Sequence, residues 1–259
     1  MKIVVLVKQV PDSSLERHLS SDDFTVDRAS ASNVISEIDE NAIEAALVLA
    51  EETGGEVTVL TVGPDHATES VRKALSMGPD KAVHVVDDAI HGSCAVTTSK
   101  ILAGALGKQE YDIVLCGAES TDGGTQVMAQ MLSQRLGIAA LTGARKLTVD
   151  GGKITVERQT EDGYQVVSAA APAIVSVWDS MNTPRYPSLK GIMAAKRKPV
   201  ETLSLSDLDI DPATVGAGAA TSTVVSAEPR PPRGAGQKIT DEGSGGSSLA
   251  EFLASEKFV

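Results

Sequence analysis

Short apolar, β-branched runs alternate with helical patterns through the first 137 residues, and this alternation restricts the fold more than any other feature. The runs cover residues 2–7, 57–62, 82–86 and 112–116. They are too short for typical helices and are apolar on both faces, as strands inside a parallel sheet are. The segments between them carry apolar residues at helical spacing, over about 38–53, 67–77, 95–106 and 125–136. The pattern predicts an α/β fold, a parallel sheet covered on both faces by helices.

A different pattern follows residue 143. Residues 145–149, 153–158 and 164–169 predict successive antiparallel strands, with Asp150-Gly151-Gly152 as a hairpin turn. Residues 173–178 are apolar again and are predicted to return to the main sheet. We therefore assign residues 1–198 to one α/β domain, which includes a hairpin region at about 144–170.

Residues 199–259 are predicted to form an extended arm. Large apolar residues are few between 199 and 226, and residues 229–246 are rich in Pro, Gly, Arg and Ser. Such a segment buries too little apolar surface to hold a compact fold alone. Residues 249–253 (LAEFL) nevertheless predict a short apolar helix. This combination favours an arm lying on another surface, and a disordered tail is the alternative.

Composition excludes several classes of function. The formal charge of −12 disfavours nucleic acid and anionic membrane surfaces as partners. The first apolar run is too short for a signal peptide or a membrane span, and the two cysteines form no C-x-x-C pair. These features predict a cytoplasmic protein that does not insert into membranes. Aromatic residues are only 3% of the chain, so a bound flavin or base would need backbone contacts or walls from another chain.

The loop after the fourth predicted strand is the main candidate site. Ligands of parallel α/β sheets bind at the carboxyl ends of the strands, and this loop reads GAESTDGGTQ over residues 117–126. Its glycines allow close backbone approach, and the following helix start favours anions. It is neither G-x-G-x-x-G nor a Walker loop. Phosphate binding is favoured, and a helix start capped by Asp122 or Thr125 is the alternative. Lys8, after the first strand, is interpreted as a solvated lysine.

A second candidate is a loop braced by two prolines, within residues 182–198. It presents Tyr186 and Leu189 and is followed by a helix with a basic end. An aromatic residue and a leucine on a rigid loop favour a docking surface. The basic end on its own is also explained by the helix C-terminus.

The sequence offers no constellation for catalysis. The four histidines are scattered, no Ser lies in a G-x-S-x-G turn, and no metal-ligand spacing occurs. The prediction is a protein without catalytic residues or a metal site of its own.

Six segments together resemble the β subunits of electron transfer flavoproteins. They are VKQVPD (7–12), IDENAIEAAL (38–47), GAESTDGGTQ (117–126), VERQTEDG (156–163), PAIVSV (172–177) and NTPRYPSLKGIMAAKRKP (182–199). The last is the most specific. The resemblance covers nearly the whole chain and implies an adenine nucleotide α-hydrolase-like α/β domain.

The resemblance also implies cofactors and partners. The chain would pair with an α subunit, cover one side of an FAD held mostly by α, and bind a structural AMP. The loop with Tyr186 and Leu189 would dock acyl-CoA dehydrogenases of fatty acid oxidation, and electrons would pass toward a membrane quinone reductase. The C-terminal arm would wrap around α. The implied nucleotide contacts are Leu6, Val7, Ser36, Glu37, Ile38, Asp39, Val62, Gly117, Ala118, Glu119, Ser120, Thr121, Asp122, Gly123, Gly124, Thr125, Gln126, Val127 and Met128.

Two segments depart from the family pattern. Ser36-Glu37-Ile38 stands where many members have N-P-F, and TDGGTQV replaces the usual D-G-D-T-A-Q form. One alternative is a bifurcating, NADH-oxidising subunit with a second FAD in the AMP pocket; NTPRYPSL favours the non-bifurcating branch. A stand-alone nucleotide module of the universal-stress-protein type is a weaker alternative, since it leaves the docking loop and the arm without a role.

Overall fold

A computed structural model describes every residue except 229, 235 and 237. The chain divides into two compact units, Met1–Val224 and Val225–Val259. Three positions of the predicted arm therefore lie outside the described residues.

The first unit alternates strands and helices as the sequence predicts. Its first half contains β1 (Lys2–Leu6), β2 (Gln9–Pro11), β3 (Asn33–Ile35), α1 (Glu37–Thr53), β4 (Glu56–Val62), α2 (Thr68–Met77), β5 (Lys81–Val85), α3 (Ala95–Leu106), β6 (Ile113–Gly117) and α4 (Met128–Leu136). Its second half contains β7 (Ala139–Asp150), β8 (Lys153–Thr160), β9 (Gly163–Ala170), β10 (Ala173–Val177), α5 (Leu189–Ala195) and β11 (Val200–Leu203).

One nine-stranded sheet organises this unit, in the order β11-β5-β4-β1-β6-β10-β7-β8-β9. Every pair from β11 to β7 is parallel. Val4 of β1 lies opposite Thr58 of β4 on one side and Val114 of β6 on the other. The strand order reverses beside β1, so the loops after β1 and β6 flank the position where such sheets bind ligands. The α/β prediction is confirmed.

Residues 3–6 of β1 are buried, with side chains packed on both faces of the sheet, which explains their unbroken apolar sequence. Ile3 and Val5 pack in the cluster that includes residues of α1 and α2, whereas Val4 and Leu6 pack in the cluster with α3 and α4. Burying each such side chain contributes about 1.5–3 kcal/mol. Two apolar layers thus hold β1 and the loop that follows it in place.

Helix α4 begins at Met128, three residues later than the predicted start at 125. Gly124 and Gln126 have φ angles of 56° and 54°, which an α-helix does not allow. The expected helix start is therefore part of the loop. Neither Asp122 nor Thr125 caps the helix, because its N-cap residue is Val127 and no side chain caps it.

The predicted antiparallel hairpins are confirmed. Strand β7 pairs with β8, and β8 with β9, both antiparallel. Gly151 and Gly152 join β7 to β8 with φ angles of 54° and 79°, the left-handed values that a two-residue hairpin turn requires. Strand β10 returns between β6 and β7, as predicted.

The first unit continues to Val224, beyond the predicted boundary at residue 198. Strand β11 adds to the sheet beside β5. Leu205, Leu208, Ile210 and Val215 are buried in the cluster that contains α3. Residues 199–224 contain few apolar side chains, yet these four all pack against the apolar cluster of the sheet and α3. The segment therefore needs no core of its own.

The second unit contains one helix, α6 (Gly245–Ser255), among its described residues. This agrees with the predicted apolar helix near residues 249–253. None of its residues is buried, and Leu249 and Phe252 are 57% and 46% exposed. The helix therefore presents apolar side chains that its own unit does not cover.

Candidate functional site

The candidate site lies at the carboxyl ends of β1 and β6, beside the first turn of α1. Asp39 joins these three elements. Its carboxylate accepts the Lys8 backbone N–H at 2.8 Å and the Gly117 backbone N–H at 3.0 Å. The structure thus brings together three of the predicted segments: 6–7, 36–39 and 117–128. Val62 ends the neighbouring strand β4, where Val7 donates to the Leu60 carbonyl at 3.0 Å.

Asp39 is buried, and burial raises the pKa of its carboxyl group to about 7, although the two backbone N–H bonds act in the opposite direction. The close approach at Gly117 depends on the missing side chain. A Cβ atom there would lie 2.6 Å from Asp39 Oδ1. The glycine that ends β6 is therefore required for the contact with α1.

A second carboxylate, Asp122, anchors the loop after β6. Its side chain is 1% exposed and is paired with two cations, the Lys8 Nζ at 2.8 Å and the Arg28 guanidinium. Burial opposes ionisation of Asp122, but Lys8, Ser120 and Arg28 outweigh it and lower its pKa to about 2. Lys8 also donates to Ser120 Oγ at 3.2 Å. We call Lys8, Arg28 and Asp122 the ion cluster.

The rest of the loop is held by short-range bonds. Ser120 accepts the Gly124 N–H with its carbonyl at 2.9 Å and the Gly123 N–H with its hydroxyl at 3.3 Å. Gln126 donates to Glu119 at 2.8 Å, so this implied nucleotide contact is engaged by a carboxylate of the same loop. These bonds keep the glycine-rich backbone in one conformation beside the ion cluster.

Two hydroxyl oxygens in the predicted nucleotide segments have no hydrogen-bond partner among the described residues. They are Ser36 Oγ and Thr121 Oγ1, both buried from water. Ser36 is fully buried, and its backbone N–H donates to the Lys8 carbonyl at 2.9 Å, so it lies next to the cationic end of β1. Buried hydroxyl groups normally have partners. A polar ligand such as a nucleotide fits this pair of hydroxyls.

Three cationic residues at the site were not among the predicted contacts. Lys8 is not a solvated lysine, because its ammonium group binds Asp122 and Ser120. Arg17 donates to the Thr121 carbonyl at 2.7 Å, and Arg28 pairs with Asp122. Both arginines precede their partners by more than 90 positions, so no local spacing links them.

The docking loop is fixed at its base and exposed at its tip. Arg185 binds Glu44 of α1 at 2.8 Å and Glu51 at 2.5 Å. Ser188 caps α5 by accepting the Gly191 N–H at 3.0 Å. Tyr186 lies between these two anchors and is 95% exposed. Leu189 follows them, at the start of α5, and is 79% exposed. The structure therefore presents the two predicted docking side chains on a restrained loop.

One histidine lies in the interior of the fold. His84 is buried against the Gly63 carbonyl at 3.1 Å, and burial lowers its pKa.

The described residues contain no group of three acidic, His or Cys side chains arranged to hold a metal ion. Among them, too, no helix has the length and apolar character needed to cross a bilayer.

Comparison with known proteins gives the family. Residues 23–208 match the family described as "Electron transfer flavoprotein domain". The chain is 47% identical to the electron transfer flavoprotein subunit beta of Mycobacterium bovis and 48% identical to that of Mycobacterium leprae, with 99% of both chains covered in each case. It is 35% identical to the "Caffeyl-CoA reductase-Etf complex subunit CarD" of Acetobacterium woodii, over 93% of this chain and 92% of that one.

These matches cover the sheet, the loop after β6 and the docking loop. The chain belongs to the electron transfer flavoprotein family, as one of its β subunits.

Proposed function

We propose that this chain is the electron-carrier subunit of a heterodimer with an electron transfer flavoprotein α subunit. It covers one side of an FAD held mostly by α, binds a structural AMP, and docks acyl-CoA dehydrogenases. Electrons then pass toward a membrane quinone reductase. The observation that carries this proposal is the docking loop, whose base is tied to α1 through Arg185 while Tyr186 and Leu189 are exposed.

The AMP is assigned to the site between β1, β6 and α1. The partnerless hydroxyls of Ser36 and Thr121 and the glycine-rich backbone of residues 117–124 supply polar contacts there. A purely structural nucleotide at this position would tie together the loops that Asp39 and the ion cluster already join. The bound nucleotide would therefore make the subunit more rigid.

The flavin is assigned to a site shared with α. When bound, FAD supplies the redox chemistry, and the protein supplies binding, orientation and electrostatics. The chain has one Trp, three Tyr and three Phe, and none of them lies in residues 117–128. Since this subunit offers few aromatic walls, the second wall of the flavin site comes from α.

The acidic charge of the chain and the exposed apolar docking tip suit brief encounters with redox partners. Charge steers two proteins together and sets the association rate, whereas a central apolar anchor supplies affinity. Leu189 is that anchor, and Tyr186 adds an exposed aromatic side chain beside it. Arg185 restrains the loop before docking, which reduces the entropy lost on binding.

Leu189→Ala tests the docking role. Truncating a central anchor costs about 2 kcal/mol, which corresponds to roughly 30-fold weaker docking. In the purified heterodimer the variant retains FAD and AMP, and stopped-flow reduction of the flavin by an acyl-CoA dehydrogenase with its substrate slows at limiting concentrations. Val96→Ala is the matched control, because Val96 is also an exposed aliphatic residue, at 37%, but lies in the first turn of α3. Equal rates for both variants would contradict the proposal.

One relative supports a second candidate function. CarD is named as a subunit of a caffeyl-CoA reductase complex, so a chain of this family also serves inside an enzyme assembly. On this alternative the chain is a bifurcating, NADH-oxidising subunit with a second FAD in the AMP site. Two FAD molecules per heterodimer, with flavin reduction by NADH, would favour it.

A further inference from the structure

The polar segment between β2 and β3, residues 12–32, lies against the candidate nucleotide site. Its ends are closed by the Asp12 N–H bond to the Ser32 carbonyl at 2.9 Å, and Leu19 and Val26 form an antiparallel bridge within it. The segment is therefore a folded loop that connects the two strands of the small β2–β3 sheet. Two arginines extend from it to the loop after β6.

The two arginines contact consecutive residues of that loop. Arg17 donates to the Thr121 carbonyl at 2.7 Å, and Arg28 pairs with the Asp122 carboxylate. Thr121 also carries one of the two buried hydroxyls without a partner among the described residues. The segment thus meets the predicted phosphate loop at the residue where a polar contact is missing.

Arg28 has donors to spare. A guanidinium group has five N–H donors. Among the described residues, its only side-chain hydrogen bond is the one to Asp122, and the side chain is 31% exposed. Lys8, on the other oxygen of the same carboxylate, is 42% exposed. Both cations therefore bind Asp122 from positions that a ligand can also reach.

Two cations share the Asp122 carboxylate. Lys8 and Arg28 both bind it, whereas Arg17 binds the Thr121 carbonyl and Glu119 bonds to Gln126. Cations beside a glycine-rich loop attract an anion, and arginine suits phosphate because its donors match two phosphate oxygens. The fully buried Ser36, with a partnerless hydroxyl, lies next to Lys8.

We infer that segment 12–32 is part of the nucleotide site and that Arg28 binds the 5′-phosphate of the nucleotide while keeping its bond to Asp122. This rests on the proposed function, which assigns a nucleotide to the site. Arg28 then determines specificity for a nucleotide over the corresponding nucleoside. Asp122 orients the guanidinium group, and Lys8 completes the cationic side.

The test compares AMP and adenosine binding to the purified heterodimer after removal of its nucleotide. A charge-assisted hydrogen bond contributes about 1.5–3 kcal/mol, so Arg28→Gln should weaken AMP binding roughly 10- to 100-fold in calorimetry. Adenosine affinity and the flavin spectrum should stay unchanged, and Arg28→Lys should recover part of the AMP affinity. Arg135→Gln is the matched control, since Arg135 bonds Ser99 and the Val96 carbonyl, outside the site.

A second variant separates phosphate binding from simple neutralisation of Asp122. If Arg28 serves only to pair with Asp122, the double variant Arg28→Gln/Asp122→Asn regains wild-type AMP affinity, and the inference is wrong. If Arg28 binds phosphate, the double variant stays weak for AMP. Equal losses for AMP and adenosine would also overturn the inference.

The wild-type heterodimer decides the proposed function separately. If it carries no AMP and binds none, both the AMP assignment and the role of Arg28 fail. If it binds AMP and Arg28→Gln binds AMP equally well, only the inference about Arg28 fails.

Discussion

The Gly117 backbone N–H donates to Asp39 Oδ1 over 3.0 Å, and this bond joins the end of β6 to the first turn of α1. The other oxygen of the same carboxylate holds the Lys8 N–H at 2.8 Å. One buried side chain therefore fixes the separation of the two loops that form the candidate nucleotide site.

This arrangement predicts a pH-dependent stability. Burial raises the folded-state pKa of Asp39 to about 7 from its ordinary value of 3.8. Between those values the folded protein holds a proton that the unfolded chain releases, so the free energy of unfolding falls as the pH rises toward 7. The fall attributable to Asp39 is on the order of 1 kcal/mol per pH unit.

Asp39→Asn removes this contribution, because asparagine does not titrate. Its amide nitrogen cannot accept the N–H that one carboxylate oxygen accepts, so the variant also loses an amount of stability that does not depend on pH. Urea unfolding of both proteins should be measured at pH 5, 6, 7 and 8. As the pH rises, the free energy of unfolding of the variant should increase relative to that of the wild type. Other groups, such as His84, titrate in both proteins and cancel in the difference. A difference that does not change with pH would mean that Asp39 is ionised throughout.

The base of the docking loop predicts a local effect of Arg185→Ala. The substitution leaves Glu44, whose side chain is 10% exposed, without its cation, at a cost of about 1–3 kcal/mol in the free energy of unfolding. Hydrogen exchange of the amides in residues 182–188 should accelerate.

Lys73→Ala is the control for this prediction. Lys73 forms an exposed pair with Glu40 at 2.7 Å, and such pairs contribute about 0–1 kcal/mol. If the two substitutions destabilise the protein equally and exchange in the docking loop stays slow, Arg185 does not restrain the loop.

Removal of residues 225–259 tests the role of the C-terminal arm. The unit Met1–Val224 contains the whole sheet and both apolar clusters, so the truncated chain should unfold at the same urea concentration as the full chain. Association with the α subunit should be lost when the two are co-expressed and purified.

The double variant Leu249→Ala/Phe252→Ala tests whether the exposed side chains of α6 alone contribute to association with the α subunit. It should weaken this association without changing the fold. Undiminished heterodimer from the truncated chain would show that the arm does not hold α.

The sequence predicts the sheet well because strands buried on both faces, such as β1 over residues 3–6, are mostly apolar and short. It places the start of α4 too early, because the left-handed conformation of Gln126 is set by the packed loop and leaves no mark in residue type. It also assigns residues 200–215 to the arm. Those few apolar residues are buried only because an existing core lies beside them.

The candidate site is predictable in its local parts and not in its long-range ones. The loop after β6 is recognisable from its glycines and its place after a strand. The pairing of Arg28 with Asp122 spans 94 positions and depends on how segment 12–32 folds back. Lys8 is misinterpreted for the same reason, since its partners Ser120 and Asp122 come from a distant strand end.

Native mass spectrometry of the chain purified with its partner, combined with a visible spectrum and chromatography of the released cofactors, tests the proposed function most directly. We predict a yellow heterodimer with an α subunit, one FAD and one AMP. A heterodimer with two FAD molecules would favour the bifurcating alternative, and a colourless chain without a partner would contradict the electron-carrier function.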